Sequence, residues 1–232
     1  MYELTRMIFS KSKWRRPKIL GREVLYVSQT ATNVRTALEE AVTARAYLEG
    51  VDLVHADLGR AQLPGALLPG ARMGGANLRE ANLQGALLSG ARFGQVVGAD
   101  FSGALLSAAR FGEVVESDFS GAQLRGACLN GLRKCDLSGA DLSDAYIGRR
   151  LDNMLGNNFD GADVRGLSVD YDVMINIDFT RCRNLGELVV RQRELLEPAD
   201  GNYGYHAIEL ELRNWKAIHR AGGPGSIQAR SK

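Results

Sequence analysis

The chain has 232 residues, with 29 Lys and Arg against 27 Asp and Glu and a formal net charge of +2. That length holds one large domain or a long repeat array, and the balance of charge excludes a strongly basic nucleic-acid binder and a strongly acidic chain alike. Three cysteines without a C-x-x-C pair argue against a disulfide or zinc framework, and no apolar run reaches the roughly 18–20 residues of a bilayer-spanning helix; a cytoplasmic setting is the expectation.

The N-terminal stretch MYELTRMIFSKSKWRRPK carries its charges after a short apolar patch, the reverse of a signal peptide. Lys11, Lys13, Trp14, Arg15, Arg16 and Lys18 form a basic cluster with one aromatic. It reads as a solvated arm, or else as a contact for phosphate or an acidic partner. REVLYVSQT then reads as a strand, and TALEEAVTARA as an amphipathic helix with Thr36 and Glu39 at capping-box spacing. Leu38, Ala41 and Val42 would face whatever follows. Residues 1–45 thus form a basic segment and a strand-helix cap.

From residue 46 a small residue recurs every five positions, followed two places later by Leu, Met or Phe. ADLGR AQLPG ALLPG ARMGG ANLRE ANLQG ALLSG ARFGQ, from residue 56, is the cleanest run. Its large residues are Leu58, Leu63, Leu68, Met73, Leu78, Leu83, Leu88 and Phe93. A period of five matches neither an α-helix at 3.6 nor a long strand at 2.0. It suits a chain that turns a corner every five residues, with small and large residues pointing inward and the residue between them outward.

The motif resembles that of the pentapeptide-repeat family, A-(D/N)-L-x-x, over about residues 46–184. The resemblance implies an all-β solenoid: a right-handed β-helix of square cross-section, four pentapeptides to a coil. The strand and helix leading into A-x-L repeats also resemble the entry to phage and prophage proteins of this family.

Beyond Phe93 the large residues fall at Val96, Phe101, Leu106, Phe111, Val114, Phe119, Leu124, Leu129, Leu132, Leu137, Leu142 and Ile147. Three successive coils therefore lose two residues at one corner, at FGQV, FGEV and LNGL, which gives an 18-residue period. The pattern blurs over 148–156 and resumes through Phe159, Val164, Val169, Met174 and Phe179. Residues 185–221 read as two capping or association helices, LGELVVRQRELLEP and YHAIELELRNWKAIHRAGG, the second with Ile208, Leu212, Trp215 and Ile218 on one side. Residues 222–232 read as a flexible tail.

Aligned coil on coil, the outward residues form columns. One wall shows Asp100, Asp118 and Asp136 in succession. The wall across the clipped corner shows Arg72, Arg92 and Arg110. The remaining neighbour shows Leu67, Leu87 and Leu105, where the motif asks for a polar residue. These nine residues are the candidate partner-binding positions.

Chemistry is poorly represented. His55, His206 and His219 lie far apart, and no H-E-x-x-H, P-loop or G-x-S-x-G occurs. The expectation is no catalysis, no cofactor and no metal. Three functional readings stay open. The leading one is a protein-protein interaction or scaffold rod, phage-derived by the resemblance above, that binds another protein or a second copy through its walls and terminal helices, without a membrane. In the second, the family resemblance implies a DNA mimic that inhibits or protects a gyrase-type topoisomerase. The aspartate column favours it, but residues 51–150 carry ten acidic and ten basic side chains, whereas duplex DNA carries a charge about every 1.7 Å. Direct nucleic-acid binding through the basic N-terminus is the least favoured.

Overall fold

The computed structural model describes residues 2–9, 19–148, 156–170, 177–193 and 205–208. The basic cluster at 11–18, the irregular stretch 149–155, Met174 and the segment from 209 onward lie outside these residues.

The five-residue period winds the chain into a β-solenoid whose corners can be read off the sequence. At 63–66 the run Leu-Pro-Gly-Ala places Pro second and Gly65 third with φ +66°, and the Ala66 N–H donates to the Leu63 carbonyl at 3.1 Å. That is the residue order of a type II turn. Where the third position is not glycine, the backbone is left-handed all the same: Arg60, Glu80, Ala108, Glu116 and Lys134 all have φ between +52° and +60°.

Between corners the walls stack as parallel ladders. One runs Arg72–Met73, Arg92–Phe93, Arg110–Phe111, Cys128–Leu129, Tyr146–Ile147, Ser168–Asp170 and Val189–Arg193. The clipped wall is a separate ladder of Val96–Val97, Val114–Val115 and Leu132–Arg133. The other walls pair through single bridges, such as Leu87↔Leu105 and Asp100↔Asp118. The inward Leu, Met, Phe, Val and Ala side chains form one continuous buried core, and each large one contributes roughly 1.5–3 kcal/mol.

The clipped coils change what fills that core. On the short wall Val96 and Val114 stand where earlier coils have Leu58 and Leu78. On the walls to either side stand Phe93 and Phe111, and Phe101 and Phe119. Each pair stacks along the rod, at 4.4 and 5.0 Å between centroids, and the two stacks meet edge to face across the core at 5.4–5.7 Å. In the third clipped coil the set is Leu129, Leu132 and Leu137, with no ring and a larger residue on the short wall.

A solenoid's first coil exposes a free strand edge that must be covered. Two antiparallel strands, β1 (Tyr2–Phe9) and β2 (Ile19–Ser28), and one helix, α1 (Val34–Thr43), do this. The Thr5 carbonyl of β1 accepts from Asp52 N–H at 2.7 Å, and Leu4, Ala37, Leu38 and Ala41 are buried. Val42 is only half-buried.

The expected capping box is corrected. The N-cap is Asn33, whose Oδ1 accepts from Thr36 N–H at 2.9 Å, while the Thr36 hydroxyl accepts from Asn33 N–H at 3.4 Å. Glu39 instead reaches the rod, where its Oε1 accepts from Gln62 N–H at 2.9 Å. In later coils the equivalent N–H meets the carbonyl below, as Asn82 meets Ala61. The carboxylate replaces a coil that does not exist.

The C-terminal helices are also corrected within the described residues. Leu185–Glu187 is a single 3₁₀ turn, Val189–Arg193 is a strand on the long parallel ladder, and Tyr205–Ile208 adds to it antiparallel. The rest of both expected helices lies outside the described residues.

Candidate interaction site

The three predicted columns exist as columns. Tyr47, Leu67, Leu87, Leu105, Gln123, Asp141, Asp163 and Arg183 follow one another by parallel bridges up one wall. Gln62, Asn82, Asp100, Asp118, Asp136 and Asn158 do so on the next. Asp52, Arg72, Arg92, Arg110, Cys128 and Tyr146 occupy the wall on the other side of the leucines. The aspartate and arginine columns therefore lie on opposite walls. The leucine ladder separates them on one side and the clipped wall on the other.

The aspartates hold local structure. Oδ1 of Asp100, Asp118 and Asp136 accepts the N–H of Ser102, Ser120 and Ser138 at 2.9, 2.7 and 2.9 Å. Asn82 and Asn158 do the same for Gln84 and Asp160, and Asp141 does it on the leucine wall for Ser143. The motif's preference for Asp or Asn at the outward position is thus a turn requirement, the side chain bonding the backbone two residues on. What the Asp column adds is charge, since Asn would serve the turn equally.

The arginines are more available. Arg92 and Arg110 are exposed, while half-buried Arg72 lies 3.8 Å from the Asp52 carboxylate. Other charged pairs, Arg60–Glu80, Lys134–Glu116 and Arg181–Asp160, link corners of successive coils. Exposed pairs of this kind add little stability.

The leucine wall has no such local role. Leu67, Leu87 and Leu105 are each half-buried, and Tyr47 at the foot of the ladder is 58% exposed. Val42 and Ala46 at the end of α1, with Pro64, Gly65 and Leu67, line a shallow groove at the foot of the strip, where Arg45 brings the first charge. Sequence reasoning missed this groove, because it depends on where α1 docks; Tyr47 lies one 20-residue period before Leu67 and was within reach of counting.

Nucleophilic chemistry is discouraged at the cysteines. All three are free thiols. Burial pushes Cys182 up to about 12, helped by Asp178 and Asp160, and raises Cys135 and Cys128 as well. A reactive cysteine needs the opposite shift. Among the described residues no group of His, Cys, Asp and Glu is placed to hold a metal, and no helix is long and apolar enough to cross a membrane.

No curated protein is similar to the chain by sequence. Several solved structures resemble it loosely. HetL, a pentapeptide repeat protein involved in heterocyst differentiation regulation from the cyanobacterium Nostoc sp. strain PCC 7120, aligns with a TM-score of 0.40 and 22% identity over 69% of this chain and 78% of that one. QnrB1, a plasmid-mediated fluoroquinolone resistance protein, aligns at 0.23 and 18% over 52% and 76%. A pentapeptide repeat protein of the Arabidopsis thaliana thylakoid lumen aligns at 0.18 and 24% over 54% and 71%. Alignments this loose bear on neither partner nor function. The family model for pentapeptide repeats matches residues 34–68, 56–95 and 97–131, with eight copies. Over these residues the chain belongs to the pentapeptide-repeat family.

Proposed function

We propose that this chain is a non-catalytic rod that binds another protein through its leucine wall. The observation that carries this reading is the ladder Tyr47–Leu67–Leu87–Leu105, an apolar column on an outward position that in most other places holds Gln, Asn, Asp or Arg, with Cys128 and Tyr146 at the top of the arginine column. Nothing in the turn chemistry calls for leucine there, and an aligned apolar strip on a solvated wall is the mark of an interface. The free thiols suit a reducing cytoplasm.

A second reading, a DNA mimic directed at a gyrase-type topoisomerase, draws support from the in-register stack of Asp100, Asp118 and Asp136. It ranks lower because the exposed Arg92 and Arg110 stand on the opposite wall, and a duplex is anionic all round.

The test is a pull-down from bacterial lysate with the parent chain, an Asp100/Asp118/Asp136→Asn variant and a Leu67/Leu87/Leu105→Ser variant, the captured proteins being identified by mass. Loss of capture with the Ser variant alone supports the leucine wall. A topoisomerase subunit lost with the Asn variant alone replaces it with mimicry.

A further inference from the structure

We infer that the partner of the leucine wall is the same wall of a second copy, the two rods lying side by side and pointing the same way. This rests on the leucine wall being the binding face, and three features identify the occupant.

The first is smoothness. Residues 64–70, 84–90 and 102–108 make up this wall and both its corners over three successive coils, and they contain no charged residue. Around the leucines stand only Pro64, Pro69, Gln84, serines, glycines and Ala108, with Gln84 tied to the Ser102 hydroxyl at 3.2 Å. Charge resumes at Arg45 and Glu49 below and at Arg125 above. A face without long side chains lets another flat face approach to the roughly 10 Å of stacked sheets.

The second is pitch. The rungs repeat at the strand spacing, about 4.8 Å. A docked helix presents side chains at about 5.4 Å per turn, and a strand lying along the rod presents one face at about 6.6 Å. Over the three leucine rungs a helix drifts by about 1.2 Å and a strand by about 3.6 Å. An identical ladder stays in step throughout, as the sheets of a steric zipper do.

The third is direction. Seen face on, the leucine wall has the arginine wall on one side and the aspartate wall on the other. When two rods face each other with the same polarity, the arginine wall of one lies on the same side as the aspartate wall of the other. With opposite polarity, arginine lies beside arginine and aspartate beside aspartate. These charges sit around the corner from the contact, so they steer the approach and reject the wrong polarity; they are not buried ion pairs. The apolar face spans only three coils and the foot of a fourth, well short of the roughly 800 Å² per partner of a standard interface. The dimer is therefore weak and reversible.

Sedimentation of the full chain from about 10 μM to about 1 mM, the range in which small interfaces associate, reads this directly. The average mass is expected to climb from 25.2 kDa towards twice that value. Leu67/Leu87/Leu105→Ser should stay monomeric, as should the milder Leu87→Gln, which places in the ladder a residue that the same column carries at Gln123. Circular dichroism of each variant establishes that it is folded. For direction, Leu67→Cys should be joined into a dimer by a short bismaleimide, above the background of the parent. Cross-linking by Leu87→Cys but not by Leu67→Cys means opposite polarity and overturns the parallel arrangement. A parent that stays monomeric, or a dimer that survives both leucine variants, overturns the inference. If the parent stays monomeric and yet its captured lysate partner is lost with the Ser variant, the leucine wall remains the binding face and only the second copy is wrong.

Discussion

The rings of Phe93 and Phe111 lie face to face one coil apart, with centroids 4.4 Å apart and planes within 5° of parallel. Both belong to clipped coils, and each shares its coil with a valine on the short wall. Read across one coil, Phe111, Val114 and Phe119 give way in the next to Leu129, Leu132 and Leu137. The core is therefore filled by trading a small residue on the short wall against rings on its neighbours.

That trade predicts a coupling. Phe111→Leu leaves a void beside Val114 and should cost about 1–3 kcal/mol. Val114→Leu alone overpacks and should cost about 1–3 kcal/mol. The double variant reproduces two of the three leucines of the following coil, with Phe119 left in place, and should recover at least half of the summed loss. A double-mutant cycle by chemical denaturation measures it. Simple additivity would mean that the rings do not compensate for the clip.

The corners predict opposite effects for two neighbouring residues. Gly103 has φ +64° with open space where a Cβ would go, and Ala108 has φ +57° at the equivalent place in the next corner. Gly103→Ala should cost about 1 kcal/mol through the backbone alone, and Ala108→Gly should gain up to about 1 kcal/mol. Gly94→Ala is a different case. Its φ is ordinary, but its Cβ would stand 2.8 Å from the Gly75 nitrogen of the coil below. It should destabilise more than Gly103→Ala, and thermal melts of the three variants give the order.

The walls were legible because a five-residue period fixes both which side chains point in and which residues share a column. The register of Leu67, Leu87 and Leu105, or of the three aspartates, needs only counting. The C-terminal end was not legible, because what forms there is decided by the last coil's unpaired edge; at the N-terminal end the strand and helix were, as β2 and α1. LGELVVRQR has the spacing of an amphipathic helix, yet Val189 N–H meets the Leu167 carbonyl at 2.8 Å. An open parallel edge outweighs a local preference. Asn33 and Thr36 have the spacing of a cap, but Thr36 and Glu39 have that spacing too, and the sequence alone does not choose between them. Glu39 could not be assigned to Gln62 without knowing where the helix docks.

The aspartate column predicts a harmless charge removal. Asn82 and Asn158 already make the same backbone bond in that column. Asp100/Asp118/Asp136→Asn should therefore keep the fold and gain slightly, because stacked carboxylates repel by roughly 1 kcal/mol per neighbouring pair in water and less in salt. Asp118→Ala leaves the Ser120 N–H without its acceptor and should cost about 1 kcal/mol. Denaturation midpoints of the two variants should move in opposite directions. Equal losses would mean that the charge, and not the turn bond, holds the column.

The last prediction concerns acid. The Ser28 and Thr30 hydroxyls both donate to Glu40, joining β2 to α1, and these bonds hold its carboxyl below the usual carboxylate range. A carboxyl depressed on folding adds stability that is fully present above its unfolded value, near pH 4.3, and is lost as the pH falls through its lower folded value. The N-terminal cap should therefore loosen below about pH 4.3. Glu40→Gln removes the titrating group, so the cap's stability should be lower at neutral pH and less steep in acid. Hydrogen exchange of the α1 amides between neutral pH and pH 3, corrected for intrinsic rates, follows the cap itself. If wild type and Glu40→Gln lose protection in parallel, another carboxylate holds the cap, and Glu39 on the Gln62 N–H is the next one to replace.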